Sequence, residues 1–216
     1  IRYAVVHHHW DPDLMDVQKK LVNQDTLVFG FMGSLRSLAH SNNFKHCLTV
    51  LQDAQYPMAV IDTECGSNFT DVLRATPDIT RLPPLKSGKK KPFADLVIPF
   101  NCHLSVREPG TDLFNYKTTA KVVTAAALGH VILTTKEASA AELLPSSYPF
   151  WLEDSHIDTL HRMMQRIMLD YSTTRKEWTT AQTMLQDIKQ KYTIKQICNT
   201  QYMPILLSIP VDSLKS

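Results

Sequence analysis

Glycine is scarce in this chain, with six residues among 216. None of the six forms a Gly-x-Gly-x-x-Gly run behind an apolar segment, so the dinucleotide fingerprint is missing and a dehydrogenase-type domain is disfavoured. There is no Gly-x-Ser-x-Gly elbow either, which argues against serine-nucleophile hydrolysis. The four cysteines, Cys47, Cys65, Cys102 and Cys198, form no Cys-x-x-Cys pair. Neither a zinc ribbon nor a thioredoxin-type motif is supported, and scattered thiols of this kind fit a reducing compartment. No apolar run approaches the length needed to cross a bilayer. No secretory hydrophobic region opens the sequence. The first residue is Ile1 rather than Met, and we expect the chain to be a piece of a longer protein.

Charge of one sign is also lacking overall. The formal net charge is +2, with 44% hydrophobic and 20% charged residues. That is the composition of an ordinary globular domain, not of a disordered tail, and nucleic acid is not an expected partner. Positive charge is concentrated locally. Lys86, Lys89, Lys90 and Lys91 stand within KSGKKK, flanked by prolines that mark a loop. The segment reads either as a solvated loop or as a contact for a phosphate-bearing ligand or an anionic membrane surface. His7, His8 and His9 invite a metal reading. Strand alternation would let only His7 and His9 share a face, so no metal site is expected.

Strands are expected over Tyr3–Val6, Thr26–Met32, Pro57–Asp62, Leu96–Phe100, His130–Leu133 and Pro149–Leu152, where β-branched and aromatic residues cluster between turn signals. Helices are expected from about Asn43 to Ala54 and from Lys117 to Leu128, the latter ended by Gly129. Thr134-x-x-Glu137 reads as a capping box for a short helix through Leu144. Asp154 or Ser155 should cap an amphipathic helix with Ile157, Leu160, Met163, Met164, Ile167 and Met168 on one face. A further helix, Thr174–Lys191, should bury Trp178, Ala181, Met184, Leu185 and Ile188, and a last one starts near Ile194. The stretch from Thr63 to Phe93 reads as irregular, with one short helix near Phe69–Ala75. Strands alternating with helical periods indicate an α/β fold: a Rossmann-like parallel sheet with helices on both faces and a helical C-terminal extension. Such sheets take ligands at the carboxyl ends of their strands.

The segment NYKTTAKVVTAAALGHVILTT, residues 115–135, carries the clearest chemistry. Lys117 falls in the first turn of its helix, where unpaired N–H groups and the helix dipole already favour anions. Thr118 and Thr119 add hydroxyl donors. Lys117, Lys121 and Thr124 are spaced four and three residues apart and share a face, while Val122, Val123, Ala126 and Ala127 form a small apolar face for packing. Either this is a solvent-facing lysine pair or an anion site.

This stretch resembles the C-terminal, nucleotide-sugar-binding domain of GT-B glycosyltransferases: a loop, a basic helix start, a lysine one turn later, a small-residue helix, a glycine and an apolar strand. TLVFGFMGS at 26–34 resembles the first strand and small-residue loop of that domain, and ADLVIPF at 94–100 resembles the strand before its binding loop. KEASAAELL and the helix after Asp154 follow in the same order. The resemblance covers about residues 24–190. It implies a domain over 24–192, preceded at 1–23 by the tail of another domain and a linker, and followed at 193–216 by a C-terminal helix and tail.

The resemblance implies a glycosyltransferase part that binds a nucleotide-diphosphate-sugar donor and transfers the sugar to an unknown acceptor. Gly33 and Ser34 would let backbone approach the diphosphate, Arg36 would pair with it, and Lys117, Thr118, Lys121 and Thr124 would line the nucleotide and phosphates. Glu108, Thr111 and Asp112 would face the sugar. The donor is a substrate, so no separate cofactor is expected, and the expected location is cytoplasmic or peripheral on a cytoplasmic membrane face. The sequence departs from the family's pattern in one respect. Retaining members carry two glutamates here, and their places are held by Tyr116 and Thr124; Glu108 does not recreate the pair. No catalytic residue is therefore assigned. The competing reading is a non-catalytic domain of the same fold that binds a protein or, through Lys86 and Lys89–Lys91, a membrane.

Overall fold

In a computed structural model, the residues described are 25–33, 42–62, 79–82, 98–108 and 120–204. Six strands occur among them: β1 Phe29–Gly33, β2 Met58–Asp62, β3 Ile79–Leu82, β4 Cys102–Ser105, β5 Val131–Thr135 and β6 Trp151–Leu152. They form one sheet in the order β3-β2-β1-β4-β5-β6, and every neighbouring pair is parallel. The helices are α1 Asn42–Asp53, α2 Ala120–Leu128, α3 Ala138–Ala141, α4 Ile157–Ser172, α5 Lys176–Lys191 and α6 Ile194–Ile197, which runs into a π turn at Cys198–Tyr202. The chain moves one way from β1 to β2 and the other way from β4 to β5. Right-handed crossovers therefore put α1 and α2 on opposite faces of the sheet. The expected doubly covered parallel sheet is what folds.

Two expectations about strands are corrected. The fourth strand is Cys102–Ser105, whereas Ile98, Pro99 and Phe100 of the expected ADLVIPF strand are irregular. Pro99 has no N–H to give a ladder, and the chain turns at Asn101 before pairing begins. The strand Ile79–Leu82 lies in the stretch read as irregular. It occupies the sheet edge, where a short segment with polar positions suffices. The expected strand at Tyr3–Val6, the helix near Phe69–Ala75 and the lysines at 86–91 lie outside the described residues, as does Cys65.

β1 and β4 are joined in an unusual way. β1 pairs with β2 over its full length, from Phe29↔Met58 to Gly33↔Asp62, but with β4 only at Phe29↔Cys102 and Gly30↔His103. Asn101 reinforces this short ladder. Its Oδ1 accepts from the Val28 N–H at 3.0 Å, its Nδ2 donates to the Thr26 carbonyl at 3.0 Å, and its own carbonyl accepts from Val131 N–H at 2.9 Å. Nδ2 also reaches the Tyr171 hydroxyl of α4 at 3.3 Å. One side chain thus ties β1 to β4, with its backbone on β5 and α4 behind.

Beyond that ladder a ring lies on the strand. A methyl group at Gly30 would fall 1.9 Å from Phe100 Cγ, so Phe100 occupies the space a side chain would need. The Phe100 ring also meets His103 edge-on at 4.8 Å and His130 at 6.0 Å between centroids. The two imidazoles are both buried and joined by a 2.9 Å hydrogen bond between His103 Nε2 and His130 Nδ1. Among the described residues, Nε2 of His130 has no partner. Burial holds His103 well below the usual imidazole range, helped by His130 and Lys121. Burial alone pushes His130 down to about 3.

The helices are finished by local chemistry. Gly129 takes a φ of 70° after α2, and the N–H groups of Gly129 and His130 bond back to Ala126 and Ala125 carbonyls, the Schellman closure that glycine permits. The capping box expected at Thr134-x-x-Glu137 does not form. The N-cap of α3 is Glu137, without a side-chain cap bond, because β5 runs on through Thr134 and Thr135. The N-cap of α5 is Arg175 in a left-handed conformation; the capping is done from α4 by Asp170, whose carboxylate accepts from Glu177 and Trp178 N–H groups at 3.2 and 2.8 Å. Burial raises the Asp170 carboxyl, but these bonds outweigh it and hold it below its ordinary value. The N-cap of α4 is His156, with Asp154 one turn-step earlier accepting from its N–H. On α4, Leu160, Met164, Ile167 and Tyr171 are buried, while Ile157, expected on that face, is 40% exposed. On α5, Trp178, Ala181, Leu185 and Ile188 are buried as expected.

Gly30→Ala should destabilise the fold by about 1–3 kcal/mol, the usual cost of overpacking a filled site. Urea unfolding of the purified variant measures it; a change within about 0.5 kcal/mol, the spread of ordinary surface substitutions, would show that the Phe100 ring yields freely.

The histidine pair makes stability depend on pH. Folded, both imidazoles are neutral; unfolded, they take protons below about 6.5. The unfolded chain then binds more protons, so the stability is whole above that pH and is lost as pH falls toward the folded value, about 3 for His130. Between pH 7 and 5 the unfolding free energy should drop by about 1–3 kcal/mol more than in the double variant His103→Leu/His130→Leu. Parallel urea titrations at several pH values read the difference, and equal slopes for both proteins would refute the assignment.

Candidate functional site

In an open parallel sheet, adjacent loops diverge where the strand order reverses, and a crevice opens at the carboxyl ends of the strands there. Here the reversal lies between β1 and β4. The short β1–β4 ladder sharpens the effect. Pairing stops at Gly30 and His103, so Phe31–Gly33 on one side and Leu104–Ser105 on the other run on without a shared ladder. At the last shared rung stand Gly30 and His103, with the Phe100 ring packed against both.

On the β1 rim, Gly33 and Lys121 come together. Lys121 lies in the first turn of α2 as its range is described, with Nζ 3.8 Å from the centroid of the Phe31 ring. A methyl group on Gly33 would lie 3.8 Å from Lys121 Cε and 3.1 Å from the edge of Phe31. A cation over an aromatic face is held electrostatically, so the lysine is positioned by β1 while its stem runs along apolar surface. Thr124 follows on the same helix and, like Lys121, is half-buried, whereas Val122, Val123 and Ala125–Leu128 are fully buried. The expected division of α2 into a polar and a packing face therefore holds for its described residues.

On the β4 rim stands a polar cluster that sequence reasoning missed. Arg107 is two residues beyond the end of β4, and Glu137 two beyond the end of β5. The Arg107 guanidinium forms an ion pair with the Glu137 carboxylate. Glu137 is 0% exposed and the arginine side chain 20%. Arg107 N–H also donates to Thr135 Oγ1 at 3.1 Å, and Thr134 Oγ1 donates to the Ser105 carbonyl at 3.1 Å. The Ser105 side chain is buried, and among the described residues its hydroxyl has no partner. Glu137 thus serves an ion pair, and Thr134 a strand, where a capping box was expected. The available signal was positional: opposite charges at matching offsets past two neighbouring strands.

Glu108 follows Arg107 and is exposed. Ser34, Arg36, Thr111, Asp112, Lys117 and Thr118 lie outside the described residues. Cys47, Cys102 and Cys198 are free thiols; burial pushes Cys47 up to about 12 and Cys102 higher still, so neither buried thiol is a nucleophile near neutral pH. Among the described residues no group of three or more His, Cys, Asp or Glu gathers as a metal site, and no helix is long and apolar enough to cross a membrane.

Neither a scan of protein-family models nor a search of curated proteins gives a match. Solved structures do match. A glycosyltransferase from Rickettsia africae ESF-5 superposes with a TM-score of 0.66 at 11% identity, covering 99% of this chain and 57% of that one. HepE from Anabaena, solved in complex with UDP-glucose, gives a TM-score of 0.59 at 14% identity over 95% of this chain and 57% of its own. The C-terminal domain of a glycosyl transferase group 1 family protein, LpcC, from Francisella tularensis gives 0.51 at 13% identity, over 88% of this chain and 97% of that domain. The chain spans little more than half the length of the first two. At these identities the likeness is one of fold: the chain has the Rossmann-like architecture of GT-B glycosyltransferases, in the part represented by their C-terminal domain.

Proposed function

We propose that the chain is the donor-binding part of a glycosyltransferase and that its crevice between β1 and β4 takes a nucleotide-diphosphate sugar. The observation that carries this reading is the meeting of Gly33 and Lys121 at the reversal of strand order. A glycine there leaves backbone open to a close ligand, and an ammonium held on Phe31 faces the same rim. A diphosphate offers the charge such a site would take, and fold neighbours hold UDP and UDP-glucose. Lys121 would neutralise charge on the departing nucleoside diphosphate, an electrostatic contribution. Lys117, Thr118, Thr124, Gly33, Ser34 and Arg36 are the remaining proposed contacts to nucleotide and phosphate, with Glu108, Thr111 and Asp112 toward the sugar. The donor is itself the substrate in this chemistry, and the acceptor is left unassigned.

Isothermal titration of the chain with UDP, GDP, ADP and their glucose conjugates tests the reading. One nucleotide diphosphate should bind, and Lys121→Ala should weaken it by about tenfold, the effect expected of one lost charge-assisted contact. Raising salt should reduce the difference between wild type and variant. Failure of every nucleotide to bind at millimolar concentration would refute the donor reading and leave the fold serving a binding partner of another kind.

A further inference from the structure

The donor reading leaves the arginine beside the crevice without a role, although a guanidinium is the side chain best shaped to grip a diphosphate. Its surroundings point elsewhere. Both the side chain and the backbone of Arg107 are engaged by the end of β5: the guanidinium by Glu137, which is 0% exposed, and the N–H by Thr135 Oγ1. The β4–β5 ladder ends at Ser105↔Thr134, and the Thr134 hydroxyl bond to the Ser105 carbonyl lies at that last rung. The three contacts therefore prolong the attachment of β4 to β5 by two residues, up to Arg107, on the side of β4 away from β1.

We propose that Arg107 is a positioning residue: paired with Glu137, it fixes the chain leaving β4 against β5, and so holds the β4 rim of the donor crevice at its separation from Gly33 and Lys121. It does not itself contact the donor phosphates. The proposal rests on the donor reading for its functional consequence, but its structural part stands without it. Among the described residues, a rim with no ladder to β1 beyond His103 has β5 as its strand neighbour to set its place. An ion pair suits this task better than an apolar contact because it fixes direction as well as distance. The pair also has a cost, since a carboxylate this buried needs its partner. Losing one member removes the pair, whereas exchanging the two keeps it.

The test compares Arg107→Ala, Glu137→Gln, the charge-exchanged double variant Arg107→Glu/Glu137→Arg, and the neutral double variant Arg107→Met/Glu137→Gln, which keeps the fold should a single change unfold it. UDP affinity by titration calorimetry and amide exchange over 102–108 and 131–137 are both read, well below each protein's melting temperature. The proposal expects each single variant and the neutral double to bind UDP about tenfold more weakly, a misplaced rim costing what one good contact is worth. It expects faster exchange at both strand ends in those variants, and recovery of both readouts to within about threefold in the charge-exchanged protein. Two results would overturn it. The first is wild-type affinity in the neutral double variant. The second is slow, restored exchange in the charge-exchanged protein with UDP affinity still lost, which would make Arg107 a direct phosphate ligand. Should wild type bind UDP no better than the other nucleotides and none of them at millimolar concentration, the donor reading fails, and exchange alone decides: strand ends as protected in Arg107→Ala as in wild type would dismiss the pair's positioning role.

Discussion

The two-residue ladder between β1 and β4 is the constraint on which the rest of the structure depends. It is where the sheet reverses direction, so it joins the two halves of the fold, and it is short enough to leave their carboxyl ends apart. A ladder of this length would be a weak seam unaided. Asn101 makes it sufficient by behaving as a further rung: its side-chain oxygen takes the Val28 N–H and its amide gives to Thr26. Every one of these bonds lies at the amino end of the strands. The seam is therefore closed at the bottom and open at the top, and the crevice is a consequence of where the hydrogen bonds were placed.

The stack above the seam keeps it that way. Phe100 fills the volume over Gly30 that a side chain would otherwise occupy, and the His103–His130 pair sits beside it under the same ring. An imidazole pair is a costly filling for a core, since among the described residues one nitrogen is left without a partner. It is tolerable only while both rings are neutral, which burial enforces. The stack is thus uncharged though not apolar. Among the described residues, formal charge stands instead at the rims, on Lys121 and the Arg107–Glu137 pair.

The parallel sheet, the buried face of α5 and the glycine closure of α2 were legible because each rests on local rules: continuous apolar runs, helical periodicity, and a φ that glycine reaches easily. What was not legible depends on contacts far apart in sequence. Pro99 and Asn101 shifted the fourth strand from ADLVIPF to Cys102–Ser105, and only the 73-residue reach from Asn101 to Val28 shows why pairing starts there. Ile79–Leu82 lacks an apolar run because an edge strand does not need one. Thr134, Thr135 and Glu137 fit a capping box letter by letter, yet β5 took the threonines into its ladder and Arg107, 30 residues away, took the glutamate. Of the candidate site, the Gly33 and Lys121 side was readable from its local pattern, and the β4 rim was not, since neither member of its ion pair has a neighbour in sequence that announces it.

The two rims differ in how their charged groups are held, and that difference bears on how a donor would lie. At the ends of β4 and β5 the arginine is matched by a fully buried carboxylate, and the threonine hydroxyls beside the pair are buried and engaged, that of Thr134 on the Ser105 carbonyl and that of Thr135 on the Arg107 N–H. On the β1 side a lysine rests on the Phe31 face beside Gly33, where a side chain would crowd the same ring. A doubly charged diphosphate is stabilised by a cation and by backbone N–H groups. On the donor reading the phosphates belong to the Gly33 and Lys121 side, where the ammonium is held on an aromatic face, while Arg107 is held against β5 by Glu137.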